Sequence, residues 1–224
     1  MMHKAEMYGS SFLVEVVIEL LRPGWFLGID SLMEFIAFII AMAVGFQARK
    51  SYMLIKERTL LYLSSSFILI GAGLLVESLA DLTVLLNRFH RGFLFLSGLG
   101  YTIDFFAQTL AYCILIFAYL KQTRAWSSQL TAAIPILFFE HNAFSELILL
   151  FLLAYIAAQT AINYSVSKTT NSLLVFSAFT SLAIAHVLFL FYTIEPIFFP
   201  LAHIAQLFGF LLLLQMLLRV NKVQ

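Results

Sequence analysis

Apolar runs long enough to cross a bilayer, separated by short polar stretches, fill most of this 224-residue chain. In hydrocarbon the backbone must satisfy its own hydrogen bonds, so such runs become helices, and about 20 apolar residues span the bilayer. A soluble fold does not accommodate them. Hydrophobic residues make up 62% and charged residues 11% of the chain, against about half and about a quarter in soluble domains. A small domain also leaves too much surface exposed to hide that excess. The expected fold class is therefore all-α, a polytopic transmembrane helical bundle whose first partner is the lipid bilayer. The net charge of +1 offers no basic surface for nucleic acid.

The hydropathy pattern predicts seven spans, near 28–48, 60–85, 93–120, 127–140, 146–165, 171–194 and 197–219, within a single membrane domain covering 1–224. Ser11–Leu21 is too short to cross and carries Glu15 and Glu19 on one face, so it reads as an interfacial helix. Arg22-Pro23-Gly24-Trp25 then turns the chain into the first span. The fourth span is the shortest. Ser127–Glu140 reaches only about 20 Å as a helix and contains Pro135, so it reads as a short crossing or a re-entrant segment.

Charge arbitrates between these. With seven spans, Arg49, Lys50, Lys56, Arg58, Lys121, Arg124, Lys168, Arg219 and Lys222 collect on one side, against Lys4, Arg22, Arg88 and Arg91 on the other. The richer side is expected to be cytoplasmic, giving an outside N-terminus, a cytoplasmic C-terminus and residence in the cell membrane. Without the fourth crossing the bias disappears. Trp25, Tyr62, Tyr119, Trp126 and Tyr192 fall near span ends, as an aromatic belt requires. Cys113 is the only cysteine, so no intramolecular disulfide forms. No internal repeat is evident.

Ionisable residues inside spans are costly and face the bundle interior. Glu34 and Glu77 lie about 9–12 Å from the outer ends of their spans, by helical rise. His186 and His203 are expected at similar depth, and Asp104 nearer the midplane. Span three carries Ser97, Tyr101, Asp104, Gln108 and Tyr112 on one face. Glu77 and Asp81 share a face of span two, and His203 and Gln206 a face of span seven. The cytoplasmic half contributes amides instead: Gln159, Asn163 and Gln215. Glu140-His141 and Glu146 read as a solvated outer loop.

Three readings compete. Glu34, Glu77, Asp81, Tyr101, Asp104, Gln108 and Gln206 form an outward polar cavity for a small ligand, ion or proton in a sensing or solute-handling bundle. Alternatively, His186 and His203, on consecutive helices, ligate haem or a divalent metal. Or the polar groups only fix helix packing in a structural subunit. The Arg49-Lys50 and Lys56-Glu57-Arg58 loop attracts anionic lipid and offers a surface for a cytoplasmic partner protein.

No phosphate-binding Gly-rich loop, His-Glu-x-x-His helix or Gly-x-Ser-x-Gly elbow is present, so the reading leans away from an enzyme. Seven-span hydrolases and receptors that ligate zinc carry a His-x-x-x-His pair in their last span. Here His203 is followed four residues later by Leu207, and that pattern fails. The nine residues Ala202–Phe210, ahead of an apolar run and a basic tail, loosely resemble the last span of the membrane-embedded input modules of microbial sensor kinases. No family is assigned from so short a stretch.

Overall fold

The computed structural model describes residues 24–87, 92–122, 143–192 and 194–222. Among them the chain forms six α-helices: α1 (Gly24–Ile55), α2 (Arg58–Leu86), α3 (Gly92–Gln122), α4 (Ala143–Ser167), α5 (Thr170–Phe191) and α6 (Phe198–Lys222). All six are long and apolar enough to cross a membrane, which is compatible with a multi-pass membrane protein. The expected crossing over 127–140 and the interfacial helix over Ser11–Leu21 lie outside the described residues.

The other expected spans are present, mostly with longer ends. Helix α1 continues to Ile55 rather than 48, because at Arg49 the apolar run ends but nothing breaks the helix. Helix α5 stops at Phe191, short of 194, as the chain turns into Glu195-Pro196. A proline disfavours helical backbone at the residue before it.

Each helix packs on its neighbours in the chain, and α6 returns to pack on α1, closing a ring. The buried side is apolar, with Ala41, Val44, Phe67, Ile70, Leu153, Ile156, Phe179, Leu182 and Phe210 at its centre. The outer faces are apolar too: Phe46, Phe106, Phe117, Phe151 and Phe208 are exposed. Exposed apolar surface of this extent requires an apolar environment, and lipid provides it.

Contacts between helices fix their directions. Ser31 near the start of α1 donates to the Ser78 carbonyl near the end of α2 at 2.9 Å, and Ser78 donates back to the Ser31 carbonyl at 2.8 Å. Ser97 near the start of α3 donates to Asp81 of α2 at 2.5 Å. Tyr101 of α3 meets Ser145 in the first turn of α4. His186 near the end of α5 meets Glu146 of α4, and His203 near the start of α6 meets Asp30 of α1. At the opposite end Ser51 and Gln47 of α1 bond Asn221 of α6.

The starts of α1, α3, α4 and α6 and the ends of α2 and α5 therefore share one end of the bundle. Helices α3 and α4 run parallel, so Gln122 and Ala143 stand at opposite ends.

Two three-helix units follow, α1–α3 and α4–α6, each with its helices alternating in direction. They correct the expectation that the chain holds no internal repeat. At a constant offset of 112 residues, Glu34, Gln47, Tyr52 and Lys56 correspond to Glu146, Gln159, Tyr164 and Lys168. The backbone repeats as well. Lys56 and Lys168 both adopt positive φ, 62° and 49°. Each donates its amide to the carbonyl of the tyrosine four residues earlier, at 2.8 Å in both cases, a left-handed helix cap. The next helices, α2 and α5, start at Arg58 and Thr170, the same offset. Phe67 and Phe179, also equivalent, are both fully buried.

Candidate functional site

The polar side chains gather near the end of the bundle where α1, α3, α4 and α6 begin, and every one of the six helices contributes an ionisable group. Asp30 and Glu34 come from α1, Glu77 and Asp81 from α2, Asp104 from α3, Glu146 from α4, His186 from α5 and His203 from α6. No lysine or arginine lies on these helix segments. Lys56, Arg58, Lys121, Lys168, Arg219 and Lys222 all fall at the other end.

Close helix approach builds the layer. A Cβ on Gly73 would stand 2.5 Å from Asp104 Oδ1 and 3.0 Å from the Asp104 Cα, and one on Gly100 would stand 2.7 Å from the Ala80 Cβ. The two glycines let α2 and α3 come together, the usual device by which small residues bring membrane helices close. Glu77 of α2 and Asp104 of α3 interact electrostatically across this contact. From Asp104 the chain of bonds runs deeper along α3: Gln108 Nε2 donates to Asp104 Oδ2 at 2.5 Å, and the Tyr112 hydroxyl donates to Gln108 Oε1 at 3.2 Å.

The first half holds a second group beside this ladder. Asp30, Glu34 and Asp81 are all buried, and one oxygen from each lies within 4.8 Å of the others. His203 Nε2 stands 3.1 Å from Asp30 Oδ1. Glu34 Oε2 is buried and has no hydrogen-bond partner.

The second half is arranged differently. Glu146 receives the Tyr101 hydroxyl on Oε1 at 3.2 Å and faces His186 Nδ1 with Oε2 at 2.7 Å. Glu146 is thus part of α4 and hydrogen-bonded within the bundle, which corrects its reading as a solvated loop residue. Glu140 and His141 lie outside the described residues. Compared with known protein families, curated proteins and solved structures, this chain matches none.

Of the residues singled out in the sequence, Glu34, Glu77, Asp81 and Asp104 come together, Tyr101 joins Glu146, and Gln108 extends the ladder. Gln206 is buried on α6 one turn beyond His203. His186 and His203 are each engaged by a different carboxylate. The Phe189 ring lies against both, with centroids 6.1 Å from His186 and 5.0 Å from His203. Asp30, Ser145 and the pairing of Glu146 were not foreseen. Asp30 and Glu146 sit at the edges of their apolar runs, where a charge ordinarily marks the end of a span. The signal that could have found Glu146 is its 112-residue correspondence to Glu34.

At the other end the bundle encloses a small cavity of about 110 Å³. Leu63, Leu115, Val175, Phe179, Leu213 and Met216 are among its lining residues. Between it and the acidic layer stand the buried rings of Phe67 and Phe210, in edge-to-face contact at 5.6 Å.

Proposed function

We propose that this chain is a non-enzymatic, seven-crossing protein of the cell membrane that binds and handles a small solute at its acidic layer. The observation that carries the reading is the convergence of ionisable groups from all six helices on one layer. Structural hydrogen bonds between helices need only neutral donors such as Ser31 and Ser78. Eight ionisable side chains taken out of water are a far more costly way to hold helices together.

The N-terminus is outside and the C-terminus cytoplasmic in this reading, because the basic end then faces the cytoplasm. The parallel run of α3 and α4 supports seven crossings. The chain leaves α3 at one end and enters α4 at the other, with the 20 residues of 123–142 between them.

Parallel repeats of this kind are one of the architectures of secondary transporters, whose sites lie between the halves. The acidic layer would face outside, the small apolar cavity the cytoplasm, and the rings of Phe67 and Phe210 would separate them. Rocking of the halves would open one side at a time.

Water access tests this directly. Ser97→Cys, in a Cys113→Ser background, should react with a membrane-impermeant thiol reagent applied to the outside of intact cells, and not from the cytoplasmic side. No reaction from either side in a folded protein would reduce the layer to a packing element and sink the reading.

A further inference from the structure

The two halves carry equivalent glutamates, yet only one of them has a base. Glu146 is met by His186 from α5 at 2.7 Å. At the same 112-residue offset the position of His186 corresponds to Leu74 of α2, a buried apolar side chain. Glu34, 4% exposed, therefore has nothing in its own half that does what His186 does for Glu146. The groups around it are instead acids: Glu77, Asp30, Asp81 and Asp104 all act on it electrostatically. Its Oε2 has no hydrogen-bond partner, and a bare buried carboxylate oxygen calls for a missing water or ion.

We infer that Asp30, Glu34 and Asp81 form a binding site for one hard divalent metal cation, which does for the first half what His186 does for the second. Three carboxylate oxygens within 4.8 Å of one another can share a single ion. Carboxylate oxygens at about 2.0–2.6 Å from the metal are the donors that magnesium, calcium and manganese prefer. Neighbouring side chains orient the ligands. His203 holds Asp30 through Nε2, and Ser97 holds Asp81 through its hydroxyl. Groups of this kind fix a metal-binding carboxylate in place.

The site spans α1 and α2 and is steadied from α3 and α6, so a bound ion ties the first half to the last helix of the second. The inference rests on the acidic layer being a binding layer, and names what binds there.

The experiment is a Mn2+ titration of the full chain purified in detergent, followed by electron paramagnetic resonance. One Mn2+ should bind per chain and be displaced by Ca2+ or Mg2+. Glu34→Gln and Asp81→Asn should each weaken binding about tenfold or more, and Glu57→Gln, exposed at the opposite end of the bundle, should leave it intact. Circular dichroism confirms that each variant keeps its helices, and Glu34→Asp, which retains a carboxylate, should recover part of the affinity. No uptake of Mn2+ at millimolar concentration by the unaltered chain, or equal uptake by Glu34→Gln, overturns the site and leaves those carboxyl groups to protons. The thiol-labelling result judges the binding-layer reading separately, so a labelled layer without Mn2+ sinks the metal alone.

Discussion

In the second half of the molecule Glu146 is held between the Tyr101 hydroxyl and the His186 imidazole, whereas Glu34, its counterpart 112 residues earlier, sits among four other carboxyl groups with one oxygen unpartnered. Both glutamates lie on the inner face of the first helix of their unit, and both units use the same left-handed lysine cap. Backbone architecture is thus shared while charge compensation is not. Where the chain supplies its own base, the glutamate acts as a strut between helices. Where Leu74 stands at the equivalent position, Glu34 keeps one oxygen unpartnered.

Three experiments would break or sharpen this contrast. The largest effect is expected from His186→Leu, which gives the second half the side chain of the first. Leaving a buried hydrogen-bonding group without its partner costs about 1–3 kcal/mol, more for a charged group, and the carboxyl group of Glu146 puts the loss at the upper end, about 3 kcal/mol. Thermal unfolding in detergent should show the loss, and adding Glu146→Leu should restore most of it. An unchanged Tm in His186→Leu would mean that the two halves do not differ in the way proposed.

A smaller effect is expected from Gly73→Ala in the first half. The added methyl would meet the Asp104 backbone and carboxyl, so α2 and α3 must part. Overpacking of this kind costs about 1–3 kcal/mol, and a lower Tm should accompany weaker Mn2+ binding as the layer loosens. The smallest effect tests what the halves share. Lys56→Gly and Lys168→Gly each relieve positive φ and should each raise stability by up to about 1 kcal/mol. Opposite signs at the two sites would weaken the case for a repeated unit.

The six helices were legible because burial in lipid leaves an unmistakable one-dimensional trace: Ile36–Val44 or Leu207–Leu214 admits nothing but helix in hydrocarbon. The helical face of Tyr101, Asp104, Gln108 and Tyr112 was legible from spacing alone, and it became a bonded ladder from Asp104 inward. Asp30 and Glu146 were obscured because hydropathy treats a charge near the edge of a run as a boundary. The repeat was obscured because lipid-facing positions need only be apolar, so the halves differ at most positions, and Glu34, Gln47, Tyr52, Lys56 and Phe67 are among the few that match their counterparts.

By itself the sequence determined that this chain forms helices long and apolar enough to cross a membrane and that most of its lysines and arginines fall at the end away from the buried carboxyl groups, since both follow from the cost of placing peptide groups and charges in hydrocarbon. Which acid meets which base was decided only by tertiary structure. A helix presents its side chains at fixed heights, but its rotation, its direction and its choice of neighbour set whether Glu146 reaches His186 and Asp30 reaches His203. Those are set by the close packing of small residues such as Gly73 and Gly100 across helices, distances that no single span encodes.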